Sequence, residues 1–159
     1  MPRLTVRPIA SEQDRVDAVT IWADALRALH RSPGDERRER AAAEIAAAPV
    51  PLLAMYGDLP AGMAVAEPYR DALPGEPKRG HVSMLFVSPA RWGNGIGSAL
   101  VRALQEPPPG TGWTGLSAWT RATNRRAQRL YLARGFTDTG ERAHLHEGAE
   151  IRRFSWSAG

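Results

Sequence analysis

Apolar and polar positions follow two rhythms along the chain, and the switches between them predict its elements. Leu4 to Pro8 alternates with the two-residue period of a half-buried strand. Ser11 and Asp14 have the spacing of a capping box, and Val19, Trp22, Leu26 and Leu29 then recur every three or four residues, which predicts an amphipathic helix. An alanine-rich helix is predicted at about 35–47, followed by a strand at Leu52–Tyr56 that turns through Gly57-Asp58-Leu59-Pro60 into Ala61–Glu67. A Pro/Gly-rich loop, Tyr69–Gly80, leads to a strand at His81–Val87, and a helix at Gly97–Gln105 is stopped by Pro107-Pro108-Pro109-Gly110. Trp113–Trp119 reads as a strand and 124–134 as a helix, with further strands starting at Phe136 and filling Glu150–Trp156. This β-α-α-β-β-β-α-β-α-β-β order has no internal repeat, and residues 1–159 fit one domain of ordinary size.

The junction between the strand at 81–87 and the helix after it carries the clearest chemistry. Glycines at 93, 95 and 97 allow positive φ and close approach, so successive backbone N–H groups can converge on a phosphate at a helix start. A Walker loop would need Lys-Ser or Lys-Thr after its last glycine, and Gly97 is followed by Ser98-Ala99. A dinucleotide fingerprint would place an acid about 20 residues on, and residues 113–120 contain none. A diphosphate of another kind is the expected guest.

Downstream, Thr123 or Asn124 is placed to cap a helix that ends at Gly135 as its left-handed C′ residue, with Ala127, Leu130 and Tyr131 on one face. Val87 and Pro89, Gly95 and Gly97, then Asn124, Ala127, Tyr131 and Gly135-Phe136 occur in the order and spacing of the GCN5-related N-acetyltransferase (GNAT) family, which residues 80–137 resemble. One departure is Trp92, which stands where that family usually has Gln or Arg, with Arg91 beside it.

The resemblance implies an α/β (α+β) fold: a mixed, largely antiparallel sheet of six to seven strands, flanked by about four helices, with two central strands splayed apart. It implies acetyl-CoA as co-substrate, its pantetheine arm pairing with backbone at Leu85, Phe86 and Val87, and its phosphates at Trp92, Gly93, Asn94, Gly95, Ile96, Gly97 and Ser98. Asn124, Arg126 and Tyr131 complete the cofactor set, and Tyr131 is the implied proton donor to the departing thiolate. A splay exposes unpaired backbone groups, and an amide-bearing arm supplies partners for them.

Amide formation also needs an oxyanion donor, for which backbone N–H near Phe86 or Val87 suffices, and a base, because an amine with a pKa of about 10.4 is charged at neutral pH. Glu67 and His81 are the candidate bases, with His30, His144 and Glu147 as alternatives. The branch of the family that acetylates ribosomal-protein N-termini carries a glutamate five residues before the motif asparagine, where this chain has Trp119. A small-molecule amine is therefore the expected acceptor, with protein N-termini or lysines, or a non-catalytic CoA-sensing module, as the competing readings.

Composition narrows the picture. The chain has no cysteine, which excludes disulfides, thiol intermediates and cysteine-ligated metal, and no metal is expected. Its net charge of +4 is nearly all arginine, Lys78 being the single lysine, and runs such as Asp35-Glu36-Arg37-Arg38-Glu39-Arg40 interleave both signs as a solvated helix face does, so no nucleic-acid partner is expected. The exception is Arg125, Arg126 and Arg129, clustered near the glycine loop, where phosphates could be met. No stretch approaches the roughly 18 apolar residues of a membrane span, so a cytoplasmic location is expected, with a homodimer left open.

Overall fold

The computed structural model describes residues 2–70 and 74–159. Its elements run β1 (Leu4–Pro8), α1 (Glu12–Ala28), α2 (Asp35–Ala47), β2 (Val50–Tyr56), β3 (Leu59–Pro68), β4 (Arg79–Val87), a short 3-10 turn (Pro89–Arg91), α3 (Ile96–Gln105), β5 (Gly115–Arg121), α4 (Arg125–Ala133), β6 (Thr137–His144) and β7 (Glu150–Ser157). The seven strands form one sheet in the order β1-β2-β3-β4-β5-β7-β6. Among the described residues only β4 and β5 pair in parallel; the other five pairings are antiparallel.

Helix ends follow the residues placed there. Ser11 caps α1 by accepting from the Asp14 N–H at 3.0 Å, while the Asp14 carboxylate takes the Ser11 N–H at 3.2 Å, so the expected capping box forms. Asn124 caps α4 through Oδ1, which accepts from Ala127 N–H. At its other end the Phe136 N–H reaches the Tyr131 carbonyl and the Gly135 N–H reaches that of Leu132, with Gly135 at φ +88°. This six-to-one and five-to-two pattern is a Schellman motif, closed by the contact of the Tyr131 and Phe136 rings. Helix α1 ends in the same way, with the Arg31 N–H on Leu26 and the His30 N–H on Arg27, but its left-handed residue is His30, at φ +57°.

Several boundaries differ from the sequence reading. Leu59 and Pro60 pair with Tyr56 and Met55, so the hairpin loop is only Gly57-Asp58. Strand β5 starts at Gly115 because the indole of Trp113 lies across Gly80, where a β-carbon would sit 2.4 Å from Cε3. Leu29, expected on the core face of α1, is 46% exposed because the helix has already ended and the chain turns away through His30. The expected loop at 69–80 narrows to 69–78, and residues 71–73 within it lie outside the described residues.

The sheet separates two cores. On one face Ile96, Leu100, Val101 and Leu104 of α3 and Tyr131 of α4 pack on Ala64, Ala66, Val82, Leu116, Ala118 and Phe154. On the other, Ile21, Trp22 and Leu26 of α1 and Ile45 of α2 pack on Leu53, Met63, Val65 and Met84. Gly62 keeps α3 close to the sheet, since a β-carbon there would meet Ile96 Cγ2 at 2.7 Å.

Strand β4 carries an extra residue. Val65 opposes Met84 and Ala66 opposes Val82, so Ser83 has no partner on β3 and its hydroxyl instead donates to the Val65 carbonyl at 3.2 Å. A bulge bends its strand and increases the local twist. The parallel pairing of β4 with β5 runs from Arg79–Gly115 to Val82–Ala118 and stops there, so the two strands splay beyond the bulge.

Candidate active site

Beyond Val82, the β5 side of β4 lacks a ladder partner. The Ser88 N–H donates to Ala61 on β3. Backbone groups alternate sides along a strand, so those of Phe86 also face β3, while Leu85 and Val87 turn theirs into the gap. The Val87 carbonyl is already engaged there, accepting from the Trp92 indole N–H at 3.1 Å. The groups left facing the gap are the N–H and C=O of Leu85 and the N–H of Val87. Sequence reasoning did not anticipate this use of Trp92.

The glycine loop lies at the C-terminal end of β4. Gly93 and Gly95 have φ of +84° and +79°, and a β-carbon on either would meet nothing within 4 Å. Both glycines are there for backbone conformation. Gly97 differs from the expectation of positive φ: it lies inside α3, and its role is close packing, since a β-carbon would come within 3.0 Å of Leu130 Cδ2 on α4. Ile96 is buried beneath the loop, and Asn94 braces it by donating to the Arg91 carbonyl at 2.9 Å. Gly95 is the N-cap of α3, so the first N–H groups of that helix open beside it.

Charge reaches the loop from α4. The Arg126 guanidinium carbon lies 3.9 Å from the centroid of the Trp92 ring, whereas Arg91 turns away to lie over Tyr56 at 5.0 Å. The three arginines grouped in the sequence separate in space. Arg125 and Arg129 line a different groove, with Arg152 of β7, while Arg126 alone of the three joins the loop.

Tyr131 is buried, its ring 5.0 Å from Phe136 and 6.2 Å from Phe154. Burial pushes the phenol above its ordinary pKa, so the hydroxyl keeps its proton at neutral pH.

On the α1/α2 face, Glu67, His81 and Ser117 stand side by side across β3, β4 and β5. This row is one residue short of the last parallel pair. The Tyr69 ring lies 5.9 Å from that of His81, and Arg153 stacks over Tyr69 at 4.6 Å while its Nε donates to the Ser117 hydroxyl at 2.9 Å. Burial, and then the charge of Glu67, hold the Glu44 carboxyl above the usual range, which brings α2 into the same neighbourhood. Tyr69, Arg153 and Glu44 were not singled out in the sequence; cross-strand register and helix packing, which no local motif encodes, bring them here. Of the alternative bases, Glu147 is ion-paired with Arg121, His30 makes the left-handed turn just past α1, and His144 ends β6.

Comparison with known proteins agrees with this geometry. The model of the acetyltransferase (GNAT) family matches residues 16–136. No curated protein sequence matches the chain. Among solved structures, a GNAT-family acetyltransferase from Bacillus cereus superposes with a TM-score of 0.78 at 20% identity, covering 99% of both chains. The yncA protein of Salmonella typhimurium, solved with its cofactor acetyl-CoA, gives 0.73 at 20% identity, covering 99% of this chain and 95% of its own. The ribosomal-protein-S18-alanine N-acetyltransferase of Escherichia coli gives 0.74 at 17% identity, again covering 99% and 95%. With the family match spanning most of its length and the splayed sheet beneath it, the chain belongs to the acetyltransferase (GNAT) family.

Proposed function

We propose that residues 1–159 act as one domain that transfers an acetyl group from acetyl-CoA directly to a primary amine on a small molecule. The observation that carries this reading is the end of the β4–β5 pairing at Val82–Ala118, with Leu85 and Val87 turning backbone groups into the gap beside a glycine-built helix start. Acetyl-CoA supplies an activated acyl group. Leu85 and the Val87 N–H would hold its amide arm, the N–H groups at Gly93 to Ser98 its diphosphate, and Arg126 and Asn124 would flank it from α4.

The remaining steps fall to this chain's own groups. A backbone N–H in the gap, already oriented by the strand, stabilises negative charge developing on the acyl oxygen. Tyr131, protonated at neutral pH, gives its proton or a hydrogen bond to the leaving sulfur. Glu67 or His81 takes a proton from the incoming amine, directly or through water, from the α1/α2 face. With no cysteine in the chain, no thiol intermediate enters, and direct transfer is the simplest course.

A panel of small amines, with peptides presenting free N-termini and lysines, is incubated with acetyl-CoA while free-thiol release is followed. Amine-dependent release with small molecules is the expected result. Release with peptides alone would transfer the activity to a protein acceptor. Tight CoA binding without release from any amine would leave a CoA-sensing module.

A further inference from the structure

The hydroxyl of Thr120 is buried, in a residue only 6% exposed, and has no hydrogen-bond partner among the described residues. Burying such a group unpaired is costly, and valine would fill the same shape without that cost. Leu116 and Ala118 face the α3/α4 core, so alternation along β5 turns Thr120 to the same face. It stands two residues, roughly 7 Å, past the last parallel pair, where β5 has left β4.

Helix α4 is pinned over this stretch at two points. Tyr131 stacks on Phe154 at 6.2 Å, and Phe154 pairs with Ala118 across β5 and β7. Further on, the Gln128 side-chain amide donates to the carbonyls of Arg121 and Ala122, at 3.1 and 2.9 Å. Thr120 lies between those two points, beneath the turn of α4 that runs from Ala127 to Tyr131. The surroundings on that face are apolar, since Leu85 and Val87 of β4 and Ala127 and Leu130 of α4 all pack into the same core. Arg152, the cross-strand neighbour of Thr120, holds its Nε 3.9 Å from a Glu150 carboxylate oxygen and does not bond the hydroxyl. Two hydroxyls, those of Thr120 and Tyr131, therefore border the splay on one face.

We propose that Thr120 is a further catalytic residue, whose hydroxyl donates a hydrogen bond to the CoA sulfur as it leaves. The proposal rests on the acetyl-transfer reading and adds a second donor beside Tyr131. The amine nitrogen forms its bond to the acyl carbon, the carbon–sulfur bond breaks, and its electron pair stays on sulfur. That sulfur takes the Tyr131 proton, and the phenolate is reprotonated by the proton the amine gives up, passed through the base or water. The Thr120 hydroxyl offers its one donor and keeps its proton throughout. Burial makes Tyr131 a weaker acid than an ordinary phenol, so a second fixed donor on the sulfur counts for more.

Thr120→Val removes the hydroxyl and keeps the shape, and Thr120→Ser restores the hydroxyl. With acetyl-CoA and an accepting amine, kcat should fall about ten- to a hundredfold in Thr120→Val, the size of a hydrogen bond to a charged group, with acetyl-CoA affinity retained. Thr120→Ser should recover most of that rate. Titration of CoA bound to the protein, followed by thiolate absorbance against desulfo-CoA, reads the contact without turnover; the bound thiol should become about a ten- to a hundredfold weaker acid in Thr120→Val. Because the hydroxyl is unpaired before CoA arrives, the melting temperature of ligand-free Thr120→Val should equal or exceed that of the wild type. A weaker bound thiol in Thr120→Val supports the contact even if no amine is acetylated, in which case the acetyl-transfer reading alone falls. Wild-type kcat and thiol acidity in Thr120→Val overturn the contact and leave acetyl transfer standing. A lowered melting temperature in ligand-free Thr120→Val would show that the hydroxyl has its partner inside the protein, and overturns the proposal as well.

Discussion

The guanidinium carbon of Arg126 rests 3.9 Å from the centre of the Trp92 indole, whose N–H in turn holds the Val87 carbonyl at 3.1 Å. The aromatic residue that stands in place of the family's usual Gln or Arg thus brings a cation to the loop from α4. Replacing Trp92 by Ala frees Arg126 and unties Val87. A cation–π contact of about 0.5–2 kcal/mol predicts a loss of roughly 2- to 30-fold in acetyl-CoA affinity. Calorimetry checks this, and Trp92→Gln should recover part of the loss; unchanged affinity in Trp92→Ala would remove Arg126 from the cofactor set.

Gly95 and Gly97 sit two residues apart and should fail differently. At Gly95 there is room for a side chain but φ is +79°, so Gly95→Ala should lose about 1–2 kcal/mol of stability from backbone strain and weaken acetyl-CoA binding as the loop distorts. At Gly97 the backbone is helical, but Leu130 blocks the space, so Gly97→Val should lose about 1–3 kcal/mol by overpacking. Urea unfolding and acetyl-CoA titration of both variants separate the two outcomes. Full affinity in Gly95→Ala would contradict the assignment of that loop.

Tyr131→Phe keeps the ring that packs on Phe136 and Phe154 and deletes only the hydroxyl. Stability should stay within about 1 kcal/mol of the wild type. If the hydroxyl serves the leaving sulfur, kcat should fall about ten- to a thousandfold with acetyl-CoA affinity retained. Wild-type turnover would make Tyr131 a packing residue.

Glu67 and His81 face each other directly across β3 and β4, so one experiment can compare them. The acidic limb of kcat/KM should vanish or shift in Glu67→Gln if the carboxylate is the base, and in His81→Gln if the imidazole is. Glu67→Gln should also lower the Glu44 pKa toward the ordinary carboxylate value, since the charge that helps raise it is gone. Carboxyl NMR titration reads that change independently of turnover, and an unmoved Glu44 would show that the two acids do not interact.

Asp14 ties β1 to α1. Its buried carboxylate accepts from both Nη atoms of Arg7, at 2.8 and 2.9 Å, and from the N–H groups of Ala10 and Ser11. The Arg7 hydrogen bonds and then the two backbone bonds hold its folded pKa well below the usual range. A depressed folded pKa means the unfolded state binds the proton first, so this contribution is whole above the unfolded value of about 3.9 and fades as pH falls below it. Asp14→Asn should lower the melting temperature at pH 7 and flatten the acid limb of the stability curve. The same melting temperature in both proteins at pH 7 would contradict the linkage.

What the sequence made legible was what neighbours along the chain decide. The Ser11 and Asp14 box, the Asn124 cap and the Gly135 terminus are local arrangements, and each forms as its spacing predicts. Pairing across the sheet was not legible in the same way. Ser83 looks like any polar strand residue until the register of β3 shows it unpartnered, and Trp113 looks like a strand start until Gly80 is found beneath its ring. The resemblance puts Arg126 in the cofactor set and leaves Arg91 beside Trp92, but nothing local tells that Arg126 finds the Trp92 face while Arg91 turns to Tyr56.

The single parallel pairing has a mechanical consequence. Residues 4–87 and 115–157 each contribute an antiparallel set of strands, and the two sets are sutured in the sheet by the four residue pairs from Arg79–Gly115 to Val82–Ala118. So short a seam should be among the first places where the sheet opens, and native-state hydrogen exchange at Ala118 should be faster than at Leu53 or Val65, deep in the four-strand set. A molecule lodged in the gap just beyond the seam would grip both halves at once and act as a clasp. Saturation with CoA should then slow exchange in β5 and β7, strands far from the glycine loop, as much as in the loop itself.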